Sequence, residues 1–296
     1  MIPPFLHPTD KVALVSPSGH IDEKYIEGAI KVLSEWGLQP IVGKFARGEF
    51  GRYSGTVEER VSDFQEALDN PEIKAILCTR GGYGLMQIID FIDFTEFEIN
   101  PKWIIGYSDI TVLHAAATNL DVVSMHAGMA KQLTELPADS AILSNYKQIL
   151  FGKLPGYTVA PHPLNRKGTI QGTVIGGNLS VLYGLRGTHF DMDGYQKILF
   201  IEDIGEKPYH IDRMIHNLKM GNILESIDGL IVGQFTDYEE DPLMGKTVYE
   251  IIADAVAEYD YPVCFNFPAG HIDTNVPLLI GAPARFTVDN EVILKY

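Results

Sequence analysis

The chain has 296 residues, a formal net charge of −16, and 46% hydrophobic and 10% aromatic residues. That length suits two ordinary domains at roughly 150 residues each, and the hydrophobic share is that of a packed globular protein. So acidic a chain lacks the basic surface that nucleic acid requires. No apolar run approaches the roughly 20 residues that span a bilayer. The N-terminal MIPPFLHPTDKVALVSPSG does not read as a signal peptide, having neither a basic start nor a long apolar centre.

The two cysteines, Cys78 and Cys264, sit in apolar runs and do not make a disulfide framework, so a reducing cytoplasm is the expected setting. In chain order, KVALVSPS (11–18) reads as a strand. The next segment, 21–37, reads as a helix with Ile26, Ile30 and Leu33 at helical spacing and Gly37 as its stop. LQPIVGK (38–44) is a short strand. The segment 56–71 is a helix with Val57, Val61, Phe64 and Leu68 on one face. EIKAILCTRGGYG (72–84) is an apolar strand running into glycines, LMQIIDFID (85–93) is helical, and KWIIGYSD (102–109) is a strand leading into a further helix. Apolar strands alternating with amphipathic helices predict a parallel, Rossmann- or flavodoxin-like α/β domain over 1–154.

The second half differs. Residues 155–168 hold three prolines and no helical stripe, and read as a linker. Beyond it, 169–296 predicts a smaller, β-rich α+β domain with much antiparallel sheet. Its strand signals include QKILFIED, GLIVGQF, YPVCFNFP, VPLLIGAPARFTV and EVILKY, and its helices PYHIDRMIHNLKM and TVYEIIADAVAEY.

Four fragments could carry chemistry. In GYSD (106–109), Ser108 stands where a strand becomes a helix. It is either a helix N-cap or a nucleophile on a sharp turn, with the Asp109 N–H donating to a tetrahedral oxyanion. The second glycine of the Gly-x-Ser-x-Gly elbow is missing, since Ile110 holds that place. TRGGYG (79–84) lacks the spacing of dinucleotide or phosphate loops. It is either an ordinary turn or the source of a second oxyanion donor, the Gly82 N–H, with Arg80 gripping a substrate carboxylate or pairing with a structural acid. The strand end at Glu202-Asp203 could orient a histidine. Asp212 and His216, one helical turn apart, could ligate metal, but without a His-Glu-x-x-His pattern or a cysteine cluster surface pairing is the stronger reading. Of the nine histidines, His271 alone lies in a glycine-flanked loop between two strand signals.

Taken together, VALVSPSG, TRGGYG, GYSD, GGNLSVL, FIEDIGEKPYHIDRM, GQF and PAGHIDTNVPLLIG occur in an order that resembles the LD-carboxypeptidase family of serine peptidases, which includes the microcin C self-immunity hydrolases. The resemblance implies a Ser…Glu…His triad of Ser108, Glu202 and His271. It implies oxyanion donors at the N–H groups of Gly82 and Asp109, and a parallel N-terminal domain beside a β-rich C-terminal one. It also implies a murein tetrapeptide substrate that loses D-alanine in cell-wall recycling, no metal or organic cofactor, and a homodimer. A microcin-type hydrolase of an acyl-nucleotide amide is the alternative within the family. Segment 126–157 contains no tryptophan to hold a nucleotide base, which favours murein. A two-domain binding protein without catalysis is the alternative outside it.

Overall fold

Strands and helices alternate from Lys11 onward in the computed structural model, which describes all 296 residues. By its internal contacts the chain divides into two units. The first comprises residues 1–154 and 276–279, the second 155–275 and 280–296. No helix is long and apolar enough to cross a membrane.

The first unit is built on strands β1 (Lys11–Val15), β2 (Gln39–Val42), β3 (Ile73–Cys78), β4 (Trp103–Gly106) and β5 (Ser124–His126). Neighbouring pairs among these five run parallel. The apolar runs of β3 and β4 are buried almost throughout, as central strands covered on both faces must be. Strand β5 escapes the sequence reading because Ser124 and His126 interrupt its apolar character. Both are nevertheless buried. The stretch 85–93, expected as one helix, forms two single 3-10 turns, Leu85–Gln87 and Ile89–Phe91.

The helix Val57–Asp69 starts on a capping box made by Thr56 and Glu59. Its inward face is rotated from the expected one. Arg60 and Asp63 are buried beside Phe64, Ala67 and Leu68, while Val57 and Val61 are only half-buried. The charged pair goes inside because backbone partners wait there: Asp63 accepts the Phe45 N–H at 2.8 Å, and Arg60 meets carbonyls described below.

The second unit holds β6 (Gly156–Val159), β7 (Gly168–Asn178), β8 (Lys197–Ile204), β9 (Gly229–Thr236) and β10 (Val263–Cys264). The chain then supplies β11 (Leu278–Ile280), an edge of the first sheet, before β12 (Pro283–Val288) and β13 (Val292–Lys295). The first sheet is ordered β11-β5-β4-β3-β1-β2 and the second β10-β9-β8-β7-β12-β13-β6. The expected VPLLIGAPARFTV strand is thus two strands serving two sheets, broken at Gly281 (φ +87°). Residues 155–168, expected as a linker, contain β6, which pairs antiparallel with β13.

In the second sheet the β7-β12-β13-β6 ladders are antiparallel. The β7-β8-β9-β10 half is parallel, joined by crossover helices at Leu179–Leu185, Pro208–Met220 and Val248–Ala255. The first of these was not legible as a helix; Asn178 caps it by accepting the Val181 N–H at 3.2 Å. Ile175, Leu199, Ile201, Met214, Leu230 and Ile252 belong to the core beneath these helices. The two cysteines are buried and unbridged.

Candidate active site

Strand β4 ends at Gly106, and the chain turns through extended Tyr107 into Ser108. Ser108 has φ +65°, a left-handed conformation that costs a residue with a Cβ about 1–2 kcal/mol. A 3-10 turn, Ser108–Ile110, and the helix Thr111–Asn119 follow, and neither receives a side-chain cap. The N-cap alternative for Ser108 therefore has no hydrogen bond behind it.

The TRGGYG turn after β3 lies against this elbow. A Cβ on Gly81 would sit 2.9 Å from Ser108 Cβ and 3.2 Å from its Oγ, so a side chain there would force the turn or Ser108 to shift. Gly82 follows with φ +105°. Neither the Gly82 nor the Asp109 N–H is among the backbone donors engaged by turns, loops or caps. Both candidate oxyanion donors thus belong to segments that the first unit brings to Ser108. Arg80 is exposed, and its guanidinium donates to the His20 carbonyl at 2.6 Å, a backbone partner rather than the acid that was its alternative.

In the second unit Glu202 and Asp203 lie just before Ile204, the last residue of β8, and the pleat sends the two carboxylates to opposite sides. Glu202 is fully buried, and its Oε2 accepts from His271 Nδ1 at 2.7 Å. That bond puts the proton on Nδ1 and leaves Nε2 as the basic nitrogen. Burial by itself would depress the His271 pKa. The charge of Glu202, its hydrogen bond, and the charges of Asp203 and Asp237 outweigh burial, so the imidazole is raised above 6.5. The loop that presents His271 is fixed at both ends: Gln234 donates its N–H to Ala269 O at 2.9 Å, and buried Asn275 accepts the Gly270 N–H at 2.9 Å. A Cβ on Gly270 (φ +127°) would lie 3.0 Å from Glu202, so this glycine lets the loop close over the carboxylate.

Asp203 faces a different network. It accepts from Asn178 Nδ2 at 2.9 Å, the Ser180 N–H at 2.8 Å and its neighbour's Ile204 N–H at 2.8 Å. Burial and the adjacent Glu202 charge push its carboxyl up to about 7 against those bonds. Asp212 and His216 pair with each other at 3.3 Å on an exposed helix face, as the surface reading expects.

Sequence reasoning missed three contributors. The Asp109 side chain, read only for its backbone, accepts the Ser18 hydroxyl and the Leu85 N–H. Arg60 reaches the same loops. His114, buried beneath the elbow, bonds Gly106 O through Nε2 at 2.9 Å and Ser124 Oγ through Nδ1 at 2.8 Å, and burial drives its pKa down to about 4. The available signal was a charge or imidazole inside an apolar stripe, which marks a buried polar group with partners.

Comparison with known proteins agrees with both halves. Residues 12–127 match the LD-carboxypeptidase N-terminal domain, and residues 171–286 the LD-carboxypeptidase C-terminal domain. The chain is 35% identical over 304 aligned residues, covering 99% of this chain and 94% of the relative, to a Bacillus subtilis protein named "Probable murein peptide carboxypeptidase". It is 28% identical over 298 aligned residues, covering 89% and 86%, to the Microcin C7 self-immunity protein MccF of Escherichia coli. The crystal structure of muramoyltetrapeptide carboxypeptidase from Oxalobacter formigenes superposes with a TM-score of 0.86 at 27% identity, covering 96% of this chain and 98% of that one. The chain belongs to the LD-carboxypeptidase family.

Proposed function

We propose that this protein is a serine carboxypeptidase that hydrolyses the L,D-peptide bond releasing terminal D-alanine from murein tetrapeptides, in the cytoplasm and as a homodimer. Ser108 is the nucleophile, His271 the base and Glu202 the acid that orients it. The observation that carries the reading is the uncapped, left-handed backbone of Ser108 at a parallel-strand end, the conformation of a nucleophile elbow. Names of relatives supply the substrate class.

The chemistry follows from the residues. His271 Nε2 takes the Ser108 hydroxyl proton as Oγ attacks the scissile carbonyl carbon. The resulting oxyanion is received by the N–H groups of Gly82 and Asp109. His271, now an imidazolium stabilised by Glu202, passes its proton to the leaving amine, and D-alanine departs. Water then attacks the acyl-serine, giving its proton to His271, and Ser108 leaves with that proton restored. The net reaction consumes one water. Arg80 is the proposed ligand of the substrate's terminal carboxylate, since the protein's net charge otherwise repels it.

The test is mass analysis of a murein tetrapeptide and an acyl-nucleotide amide incubated side by side with the protein. Release of D-alanine from the first supports the reading. Turnover of the nucleotide alone transfers the chain to the microcin-type activity, and saturable binding without product makes it a binding protein. Sedimentation at micromolar concentration tests the dimer.

A further inference from the structure

The Gly84–Leu85 peptide unit is held at both ends by buried charges. Its carbonyl accepts from Arg60 Nη1 at 2.9 Å, and its N–H donates to Asp109 Oδ2 at 2.9 Å. The same Oδ2 accepts the Ser18 hydroxyl. Arg60 also donates to Pro17 O at 3.1 Å and Gly55 O at 3.2 Å, and its plane lies over the Tyr53 ring. Asp109 is 4% exposed and Arg60 2%. Withdrawing two charges from water costs several kcal/mol per ion unless hydrogen bonds recover it, so the pair is an expensive way merely to fill space.

The turn they grip has one backbone tie next to the proposed donor, where the Gly19 N–H donates to Gly81 O at 3.0 Å, and beyond that peptide its conformation depends on glycines. Gly82 and Gly84 lie at φ +105° and +135°, and glycine leaves such conformations as readily as it enters them. The N-terminal end of the turn is anchored where the Thr79 N–H donates to Val15 O at 2.8 Å. The other end has the Arg60–Asp109 grip, two residues past Gly82. Asp109 adds a connection that no other residue makes. Its own N–H is one proposed oxyanion donor, and its carboxylate fastens the turn that carries the other.

We infer that Asp109 is a positioning residue: with Arg60 it clamps the Gly84–Leu85 peptide and so pre-sets the Gly82 N–H relative to the Asp109 N–H for the oxyanion of the reaction. This rests on the reading of Ser108 as nucleophile and of those two N–H groups as its donors. An oxyanion donor helps only when it is already aimed at the charge that develops. A loosened turn should therefore damage the transition state more than substrate binding.

The experiment compares the full-length wild type with Asp109→Ala and Asp109→Asn below their melting temperatures. It reads kcat and KM on the tetrapeptide and the rate of Ser108 labelling by a fluorophosphonate, whose transition state also places negative oxygen among the donors. Asp109→Ala should lose about 10–100-fold in kcat and in labelling rate, with KM within about threefold, since a whole donor is worth about 10²–10³. Asp109→Asn keeps a carbonyl oxygen for Ser18 and Leu85 and should recover most of the loss. A role confined to stability predicts a lower Tm with normal kcat and labelling in the folded protein, and that result overturns the inference. Should Asp109→Ala not fold, Ser18→Ala carries the test: a fall of about threefold or more in labelling supports the clamp, and an unchanged rate overturns it. A wild type that neither labels at Ser108 nor releases D-alanine removes the underlying reading instead, and the inference with it.

Discussion

His271 Nδ1 lies 2.7 Å from the Oε2 of a glutamate that no solvent reaches, Glu202. In the proposed triad that carboxylate would orient the imidazole and stabilise the imidazolium formed when the serine gives up its proton. Glu202→Gln keeps an oxygen for the Nδ1–H but removes the charge. The expected result is a fall in kcat of about 10²-fold or more with a smaller change in KM. Steady-state kinetics on the tetrapeptide decides it, and a variant within threefold of wild type would remove Glu202 from the triad.

Ser108 offers two substitutions with the same chemistry and opposite structural consequences. Ser108→Ala deletes the hydroxyl and keeps the Cβ at φ +65°, so turnover should drop about 10³-fold or more with Tm nearly unchanged. Ser108→Gly should be equally inactive yet gain stability, because glycine relieves a left-handed strain of about 1–2 kcal/mol against a smaller entropic cost. Calorimetry of both variants checks the ordering. Near-wild-type turnover by Ser108→Ala would dismiss the nucleophile assignment.

The raised pKa of His271 fixes two pH trends of opposite sign. Only neutral imidazole can accept the serine proton, so kcat/KM should climb with pH and reach half its plateau above 6.5. Glu202→Gln removes the strongest raising cause and should shift that midpoint down in whatever activity remains. For stability the charged, Glu202-paired form is the favourable one. Its contribution is complete below 6.5 and disappears as pH rises through the folded-state value. A kcat/KM midpoint below 6.5 would contradict the pairing.

Asp203, the neighbour of Glu202, is the instructive comparison. Its carboxyl rises from an ordinary 3.8 to about 7, so the native state holds a proton that the unfolded chain has released. Stability should therefore fall as pH rises between about 4 and 7, and Asp203→Asn should flatten that fall. The same change should cost far less turnover than Glu202→Gln. Thermal unfolding across pH, measured on both proteins, tests the slope. A variant that loses turnover like Glu202→Gln would reassign the triad acid.

Arg80 is tested by the substrate's own charge. If its guanidinium grips the terminal carboxylate, Arg80→Gln should lose about 1.5–3 kcal/mol in kcat/KM on the free acid, and much less on the C-terminal amide. An intact preference for the acid would mean that another group reads the carboxylate.

Much of the fold and of the candidate site is legible in the sequence. Continuous apolar runs such as AILC and WIIG, alternating with amphipathic helices, read as central parallel strands, and that reading puts Ser108 and the Gly81-Gly82 pair at their carboxyl ends. Periodicity failed where polar residues were buried with partners. Arg60 and Asp63 turned the helix Val57–Asp69 away from its expected face, and Ser124 and His126 hid β5. A window of sequence weighs each side chain by its cost in oil, whereas a folded interior weighs it by the hydrogen bonds it finds.

By itself, then, the sequence determined which residues stand at strand ends, where the chain must turn, and which side chains can attack, accept protons or carry charge. Those are local properties, set by hydrophobic spacing, backbone sterics and side-chain chemistry. Only the tertiary structure decided which of two adjacent acids faces His271, that VPLLIGAPARFTV serves two sheets, and that the Asp109 carboxylate meets a peptide 24 residues earlier in the chain. Those outcomes depend on pleat, register and packing between segments far apart in sequence, and hydrogen-bond geometry there is satisfied or lost within a few tenths of an ångström.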